Sequence, residues 1–245
     1  MFQPHYRKKK NGIPVLSKKE INEIAEGYVL DFCPDAIQNP QPLNIDLFIE
    51  SYLDLTLDFQ YLSNDARYLG MMIFSDTTRV EVFLPDKGIA DYHTAAAGTI
   101  IIDNTLTEDN QGNRYRYTCG HEAGHWVFHR SYYNYDPNQY TLFESDNPYI
   151  KCRELSPHDF PINTSSWDDK KWMEWQADKF SSCFLMPKAA VRKLLGNTNI
   201  DDDYTEEIII LTSRTFQVSF EAATYRLMDL GYIKSGEDDG QLSFI

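Results

Sequence analysis

Three features are scarce in this 245-residue sequence: long apolar runs, paired cysteines and positive charge. No stretch approaches the roughly 18 uninterrupted apolar residues that a membrane-spanning helix needs, so we expect no membrane partner. The four cysteines are scattered without a C-x-x-C pair, and the basic start, Met1–Asn11, is not followed by the apolar segment of a secretion signal. We therefore expect a cytoplasmic protein with reduced thiols.

Positive charge is scarce over most of the chain. The net charge is −14, with 37 Asp and Glu against 23 Lys and Arg. The first twenty residues hold six Lys or Arg and one Glu, and removing that +5 leaves −19 on the remainder. Since so acidic a body is a poor partner for nucleic-acid phosphates, we expect no direct nucleic-acid binding. The same charge suits a basic protein partner.

Histidine is also scarce, with six in the chain, yet two stand four residues apart in His121-Glu122-Ala123-Gly124-His125. On a helix this spacing puts both rings on one face, with Cβ atoms about 5–6 Å apart, close enough to bind one metal ion. Glu122 lies one step round the helix, where it can face a metal-bound water without being a ligand. This is the H-E-x-x-H pattern of zinc peptidases, and the alternative is two ordinary surface histidines.

A catalytic zinc site needs a third protein ligand and keeps one position open for water. Ser131 stands where the H-E-x-x-H-x-x-G-x-x-H class has its third histidine, which excludes that class. His129 is turned about 80° from His121 around the helix, which favours a packed or surface residue over a ligand. The stronger candidate is Glu174, with Asp178 one turn further along the same predicted helix. Asp178 would accept a hydrogen bond from a ligand histidine; the alternative is a solvated acidic face.

The two motifs together resemble those of the ImmA/IrrE family of metallo-endopeptidases. The matching stretches are Arg116-Tyr117-Thr118, His121-Glu122-Ala123-Gly124-His125, and Glu174-x-x-Ala177-Asp178-x-Phe180 leading to Phe184-Leu185-Met186-Pro187. The resemblance implies one zinc ion per chain, with the ligands His121, His125 and Glu174 and a catalytic Glu122. The Glu-x-x-x-Asp pair also resembles that of thermolysin-like peptidases, in which the aspartate supports a ligand histidine.

The function that this resemblance implies is zinc-dependent, site-specific endopeptidase activity with a regulatory role. Glu122 would take a proton from a zinc-bound water, which attacks the peptide carbonyl. The implied substrate is a DNA-binding repressor of the helix-turn-helix type. The alternative is a non-catalytic zinc-binding regulatory or toxin–antitoxin protein, which Glu122 disfavours because a structural metal site needs no base. Four side chains remain candidates for stabilising the oxyanion: His93, Tyr115, Tyr117 and His158.

The remaining patterns predict an α+β, zincin-like domain. Ser17-Lys18-Lys19-Glu20 is a capping box for a first helix. A second helix is expected around 45–52, and the metal helix from about Arg114 to His129. Runs of apolar residues predict strands near 55–61, 68–74, 79–84 and 98–103, with loops over 85–98 and 104–113. We expect a small mixed or antiparallel sheet, with Thr99–Asp103 at its edge for strand addition by substrate.

The predicted organisation has four parts. They are a flexible basic tail (1–12), the metallopeptidase domain (13–187) with an insertion or loop (131–167), a helical extension (188–234) and a flexible acidic tail (235–245). The tyrosine-rich insertion is either a substrate-binding lid or a disordered segment. The extension has the outline of a helix-turn-helix, but Arg226 is the only basic residue of its second helix. We therefore expect a structural or protein-contact role for it.

Overall fold

The computed structural model describes residues 1–133, 149–153, 164, 167–196 and 204–234, and it confirms the predicted α+β architecture. The helices are α1 Lys18–Phe32, α2 Asp35–Gln38, α3 Ile45–Leu47 continued by a π-helical turn Phe48–Tyr52, α4 Gly112–Tyr133, α5 Asp169–Leu185, α6 Lys188–Leu195, α7 Thr205–Phe216 and α8 Phe220–Leu230. The strands are β1 Thr56–Gln60, β2 Tyr68–Ile73, β3 Thr77–Leu84, β4 Ile89–Ala95, β5 Thr99–Asp103 and β6 Tyr149–Arg153. The acidic tail 235–245 and most of the insertion 131–167 lie outside the described residues.

The main sheet is mixed, with the strand order β1-β5-β2-β6. β1 and β5 are parallel, and β2 is antiparallel to both β5 and β6. The expectation that Thr99–Asp103 lies at the sheet edge is wrong, because this strand runs between β1 and β2 and all five of its residues are buried. A continuous apolar run such as Ile100-Ile101-Ile102 is typical of an inner strand covered on both faces.

A separate antiparallel hairpin consists of β3 and β4. β4 falls in the stretch 85–98 that was predicted to be a loop, so that prediction is wrong. The reason is that β4 is mostly exposed and contains Ala, Asp and His where the pattern requires alternating apolar residues. Its strand conformation comes from pairing with β3 across a short turn, in which Gly88 adopts a φ of 66°.

The helices pack over one face of the main sheet around an aromatic core. The predicted capping box is present at the start of α1, where the Ser17 hydroxyl and the Glu20 carboxylate each accept the other residue's backbone N–H. Tyr28 of α1 meets Phe180 of α5 with ring centroids 5.8 Å apart, and Phe180 meets Phe128 of α4 at 5.5 Å. These contacts hold α4 and α5 together and fix the positions of their polar faces.

Residues 1–12, for which the sequence predicts a flexible tail, lie against the body of the domain. The Phe2 ring packs edge-on against Tyr28 at 5.1 Å. The Tyr6 hydroxyl donates to the carbonyl of Val127 in α4 at 3.1 Å. Two aromatic side chains thus anchor a segment whose most visible sequence feature is its run of positive charge.

The C-terminal extension packs on α5 through a buried arginine. Arg226 of α8 is 0% exposed. Its guanidinium donates to the Met186 carbonyl at 2.9 Å and to the Asn22 side chain at 2.8 Å. The only basic residue of this helix therefore anchors it to α1 and to the end of α5, where nucleic acid has no access. None of the described helices is both long enough and apolar enough to cross a membrane.

Candidate metal centre

Two closely packed antiparallel helices, α4 and α5, carry the predicted site residues. Gly120 lies opposite Ser181, and Gly124 lies opposite Ala177. A Cβ atom on Gly124 would lie 3.1 Å from the Ala177 backbone, and one on Gly120 would lie 2.5 Å from the Ser181 hydroxyl. The two glycines therefore allow a close approach of the backbones. This approach brings donor atoms of the two helices within reach of each other.

Three donor atoms converge where the helices meet. The Nε2 atoms of His121 and His125 are 2.9 Å apart. Glu174 Oε2 lies 3.3 Å from His121 Nε2 and 3.7 Å from His125 Nε2. Both histidines are buried, and the Glu174 side chain is 12% exposed. The structure thus brings together all three residues that the sequence predicted as metal ligands.

The geometry of the three donors fits a small cation. Ligands about 2.0–2.1 Å from a tetrahedral zinc ion lie roughly 3.3 Å from one another. The three observed separations of 2.9, 3.3 and 3.7 Å bracket that value. The second carboxylate oxygen of Glu174, Oε1, is buried with no hydrogen-bond partner in the part of the chain that the structure describes, which a bound cation would compensate.

The charge distribution of the pocket also favours a cation. Burial disfavours the charged form of Glu174, but the two histidines outweigh burial and hold the pKa of Glu174 far below its usual value. Burial likewise disfavours protonated His121, but Cys152 and Glu174 hold the pKa of this imidazole well above its usual value. The ionised Glu174 carboxylate therefore favours a divalent cation at this position.

Glu122 is buried beside this donor set. It is 0% exposed, and among the described residues no group meets the geometry of a hydrogen bond to either of its carboxylate oxygens, although the Cys152 thiol is close enough to lower the pKa of this carboxyl group. Burial raises the pKa of Glu122 to about 8. Gly70 of β2 makes room for this side chain, because a Cβ atom there would lie 2.6 Å from Glu122 Oε1. A buried carboxyl group with a raised pKa beside such a donor set is a candidate for proton transfer.

A chain of hydrogen bonds fixes the orientation of His125. The Pro14 carbonyl can only accept, so it takes a hydrogen bond from Gln176 Nε2 at 2.9 Å, and Gln176 Oε1 must then accept from His129 Nε2 at 3.0 Å. His129 Nδ1 lies 2.9 Å from His125 Nδ1. Burial lowers the pKa of both imidazoles, so both are neutral and His125 Nδ1 donates to His129. The lone pair of His125 Nε2 is therefore directed at the donor set.

The prediction for Asp178 is wrong, and His129 with Gln176 supports the ligand histidine instead. Asp178 Oδ1 accepts a hydrogen bond from the Tyr117 hydroxyl at 2.8 Å. The two helices are antiparallel, so a residue one turn after Glu174 in α5 lies opposite a residue one turn before His121 in α4. Asp178 therefore faces Tyr117, away from His125. His129, which the sequence suggested was a packed or surface residue, is indeed fully buried.

Cys152 of β6 also lies at the candidate centre, although the sequence does not predict it there. Its Sγ, a ring nitrogen of His121 and a carboxylate oxygen of Glu122 all lie within 4.8 Å of one another. Burial raises the pKa of its thiol to about 12, although His121 acts in the opposite direction. No motif marks Cys152, because only the pairing of β6 with β2 brings it here. Cys119, two residues before His121, is fully buried in the hydrophobic core.

Most of the candidates for stabilising the oxyanion are engaged elsewhere. The ring of His93 lies within hydrogen-bonding distance of a carboxylate, and the hydroxyls of Tyr115 and Tyr117 each donate to one, all at 2.7–2.8 Å. His158 lies outside the described residues. The described members of this set therefore already have strong partners.

Comparison with known proteins connects this site to one family. The family model Peptidase_M78, described as the IrrE N-terminal-like domain, matches residues 76–228, which is more than half of the chain. No curated protein matches the chain. The matched range includes both α4 and α5, the helices that contribute the three donors and the buried glutamate.

Proposed function

The chain belongs to the Peptidase_M78 family of IrrE N-terminal-like metallopeptidases, and from that premise we propose that it is a zinc-dependent, site-specific endopeptidase that cleaves a repressor of the helix-turn-helix type. One observation carries the proposal. Two imidazole nitrogens and a carboxylate oxygen lie within 4.8 Å of one another, and beside them is a buried glutamate whose oxygens accept no well-formed hydrogen bond among the described residues. A structural metal site has no use for that glutamate, whereas peptide hydrolysis does.

The metal would be held by Nε2 of His121, Nε2 of His125 and a carboxylate oxygen of Glu174. Two imidazoles and a carboxylate suit zinc, and a set of three protein ligands leaves a coordination position open. When bound, the ion supplies Lewis-acid polarisation of the peptide carbonyl and an acidified water. The hydrogen-bonded chain from His125 to the Pro14 carbonyl holds the imidazole in the tautomer that such binding requires.

Glu122 moves the proton in this proposal. Its carboxylate takes a proton from the attacking water and delivers that proton to the nitrogen of the leaving amine. Burial raises the pKa of Glu122 to about 8. A nearby cation lowers the pKa again, because an opposite charge favours the carboxylate form. These opposing effects suit a group that first accepts and then donates the same proton.

The choice of a repressor as substrate is supported by the charge of the chain and by the family resemblance. A net charge of −14 attracts basic partners, and proteins that bind DNA are basic where they contact phosphates. The helix-turn-helix-like segment of this chain is poorly suited to bind DNA, since its Arg226 is buried. We therefore assign DNA binding to the substrate and protein contact to the C-terminal extension.

The alternative is a zinc-binding regulator that acts by binding alone. It would share the donor set with a peptidase, so metal content does not separate the two functions. Glu122 separates them, because binding alone requires no fully buried carboxyl group beside the donor set at a cost in desolvation.

A cleavage assay with matched glutamate variants tests the proposal. The zinc-loaded chain is incubated with the helix-turn-helix protein encoded nearest to it, beside Glu122→Gln and beside Glu108→Gln, which changes an exposed glutamate before α4. We expect a single cut by the wild type and by Glu108→Gln, and a rate about 10²–10⁴-fold lower for Glu122→Gln. Equal cutting by Glu122→Gln would contradict the role of Glu122. Tight binding of the repressor without any cut would favour the non-catalytic regulator.

A further inference from the structure

One strand of the main sheet lies over the candidate centre and has no part in the function proposed above. β6 pairs with β2 at the edge of the sheet order β1-β5-β2-β6. Because β2 is antiparallel to both of its neighbours, β6 runs parallel to β5. Without β6, the main-chain N–H and C=O groups on that side of β2 would be open to another extended chain.

The register of this pairing places β6 against the residues assigned to the chemistry. Cys152 of β6 is the Cα partner of Gly70 of β2. Gly70 lies directly against Glu122, and Cys152 Sγ lies within 4.8 Å of atoms of both Glu122 and His121. Cys152 is 6% exposed and Glu122 is 0% exposed. The strand thus contributes to the complete burial of the candidate base.

An extended peptide substrate needs the place that β6 occupies. Peptides that bind by strand addition hydrogen-bond their main chain to an open sheet edge. A peptide that paired with β2 in the register of β6 would place one residue opposite Gly70, close to Glu122 and His121. The opposite edge of the sheet, β1, is separated from this position by β5 and β2. The β2 edge is therefore the one from which a paired peptide reaches the chemistry.

We propose that the β2 edge is the docking surface for an extended peptide segment and that β6 is its resident occupant, which the substrate replaces. This inference rests on the proposed peptidase function and describes how that site is opened. The side chains of β6 differ in how firmly they hold the strand: Ile150 and Cys152 are 5% and 6% exposed, whereas Lys151 makes its contacts near the surface. The ion pair of Lys151 with Glu81 spans 3.6 Å, and Glu81 is 62% exposed. Such exposed pairs contribute at most about 1 kcal/mol.

A reversible covalent lock tests the proposal in the full-length, zinc-loaded chain. Ile73 and Tyr149 are Cα partners at the end of the β2–β6 ladder away from Glu122, so oxidation of an Ile73→Cys/Tyr149→Cys variant would join these strands. The matched control is Leu84→Cys/Ile89→Cys, which joins β3 and β4 at their turn. Each variant is compared with itself before and after reduction, so that any effect of the substitutions alone cancels.

Two rates are measured, transfer of zinc to the dye 4-(2-pyridylazo)resorcinol and cleavage of the helix-turn-helix probe. We expect the oxidised β2–β6 lock to slow both rates at least about tenfold, because access then requires opening of a larger unit of structure. Reduction should restore both rates, and the control lock should change neither. Equal zinc transfer from the oxidised and reduced forms of the β2–β6 lock would overturn the proposal. If the oxidised lock slows zinc transfer but no form of the chain, wild type included, cleaves the probe, then β6 covers the site as proposed and the peptidase function is rejected.

Discussion

At the scale of single residues, the orientation of His125 depends on side chains that would not touch the metal. His129 accepts the hydrogen bond of His125 Nδ1, and Gln176 accepts that of His129. The Pro14 carbonyl, which lies outside both helices, fixes which way the Gln176 amide points. A substitution that removes any of these hydrogen bonds leaves a buried polar atom unpaired and allows the His125 ring to rotate.

The first prediction concerns this chain of hydrogen bonds. His129→Ala should weaken zinc binding about 10–100-fold, as losses of such supporting partners typically do. The affinity is measured by competition with a chelating dye. His93→Ala is the control, because His93 pairs with Asp58 in another part of the fold and its loss should leave zinc affinity unchanged. Unchanged affinity in His129→Ala would show that His125 does not need this support.

One part of the site can be predicted from the sequence and another cannot, for a physical reason. His121, Glu122 and His125 lie within one helical turn, so their relative positions follow from helix geometry alone. Gln176 and Cys152 enter the site only through the contacts of α5 and β6 with other elements, which no spacing in the sequence encodes. Asp178 was assigned wrongly because its partner depends on the antiparallel packing of α4 against α5.

At the scale of secondary-structure elements, the approach of α4 to α5 sets the distance between the donors. Gly124→Ala would place a methyl group 3.1 Å from the Ala177 backbone, which cannot move aside as a side chain can. We expect a loss of about 1–2 kcal/mol in the free energy of unfolding together with weaker zinc binding, despite the higher helix propensity of alanine.

Gly112→Ala provides the comparison for this second prediction. Gly112 is the first residue of the same helix, and a Cβ atom there would meet nothing within 4 Å. Alanine should be neutral or slightly stabilising at that position. Chemical denaturation of both metal-free variants, followed by zinc titration, measures the two effects. Equal stability of the two variants would mean that the helices can separate without cost.

A third prediction concerns the attachment of α8. Asp229 pairs with Lys179 of α5 at 3.1 Å and with Lys18 of α1. Burial opposes its ionisation, but the two lysines outweigh burial and lower the pKa of Asp229 below its usual value. Its contribution to stability is therefore present above the unfolded-state pKa and is lost as the pH falls through the lower, folded-state pKa.

Asp229→Asn should accordingly lower the free energy of unfolding by about 1–2 kcal/mol near neutral pH. The difference from the wild type should begin to shrink below about pH 4, where the carboxylate of the unfolded chain takes up a proton, and should disappear below the lower folded-state pKa. Denaturation curves at several pH values measure it, with exposed Asp86→Asn as the control. A difference that does not depend on pH would assign the effect to packing and not to charge.

The elements also show where hydrophobic patterns predict structure and where they do not. Buried or half-buried strands such as β1, β2 and β5 were found close to their true limits, because burial requires apolar residues at regular positions. β4 was missed because it is held mainly by main-chain pairing with β3 and exposes most of its side chains. The position of β5 inside the sheet was also missed, since strand order is determined by contacts that are distant in sequence.

At the scale of the whole molecule, the N-terminal segment (1–12) packs as one unit with the helices α1, α4 and α5. Phe2 lies on α1, Tyr6 bonds to α4, and Lys9 pairs with Asp169 at the start of α5. The segment therefore bridges three helices that also share the aromatic core. The family resemblance drawn from two motifs is confirmed over residues 76–228, and this segment lies outside that range.

The fourth prediction follows from these contacts. Deletion of residues 1–12 should lower the free energy of unfolding by about 2–4 kcal/mol, the amount expected for two partly buried aromatic side chains. The corresponding fall in melting temperature is roughly 5–15 °C for a chain of this length. Deletion of residues 235–245, which the sequence predicts to be a flexible tail, is the control and should have little effect. If thermal scans give the two truncated chains the same melting temperature, residues 1–12 are a flexible tail.

The central claim is that His121, His125 and Glu174 bind one zinc ion, and its most direct test is the zinc content of purified variants after equilibrium dialysis. We predict one zinc per chain in the wild type, a loss of binding in His121→Ala, His125→Ala and Glu174→Gln, and retention in Asp178→Asn, whose carboxylate faces Tyr117. Circular dichroism of each variant checks that the fold is intact. Full zinc content in folded Glu174→Gln, or its loss in folded Asp178→Asn, would contradict this account of the site.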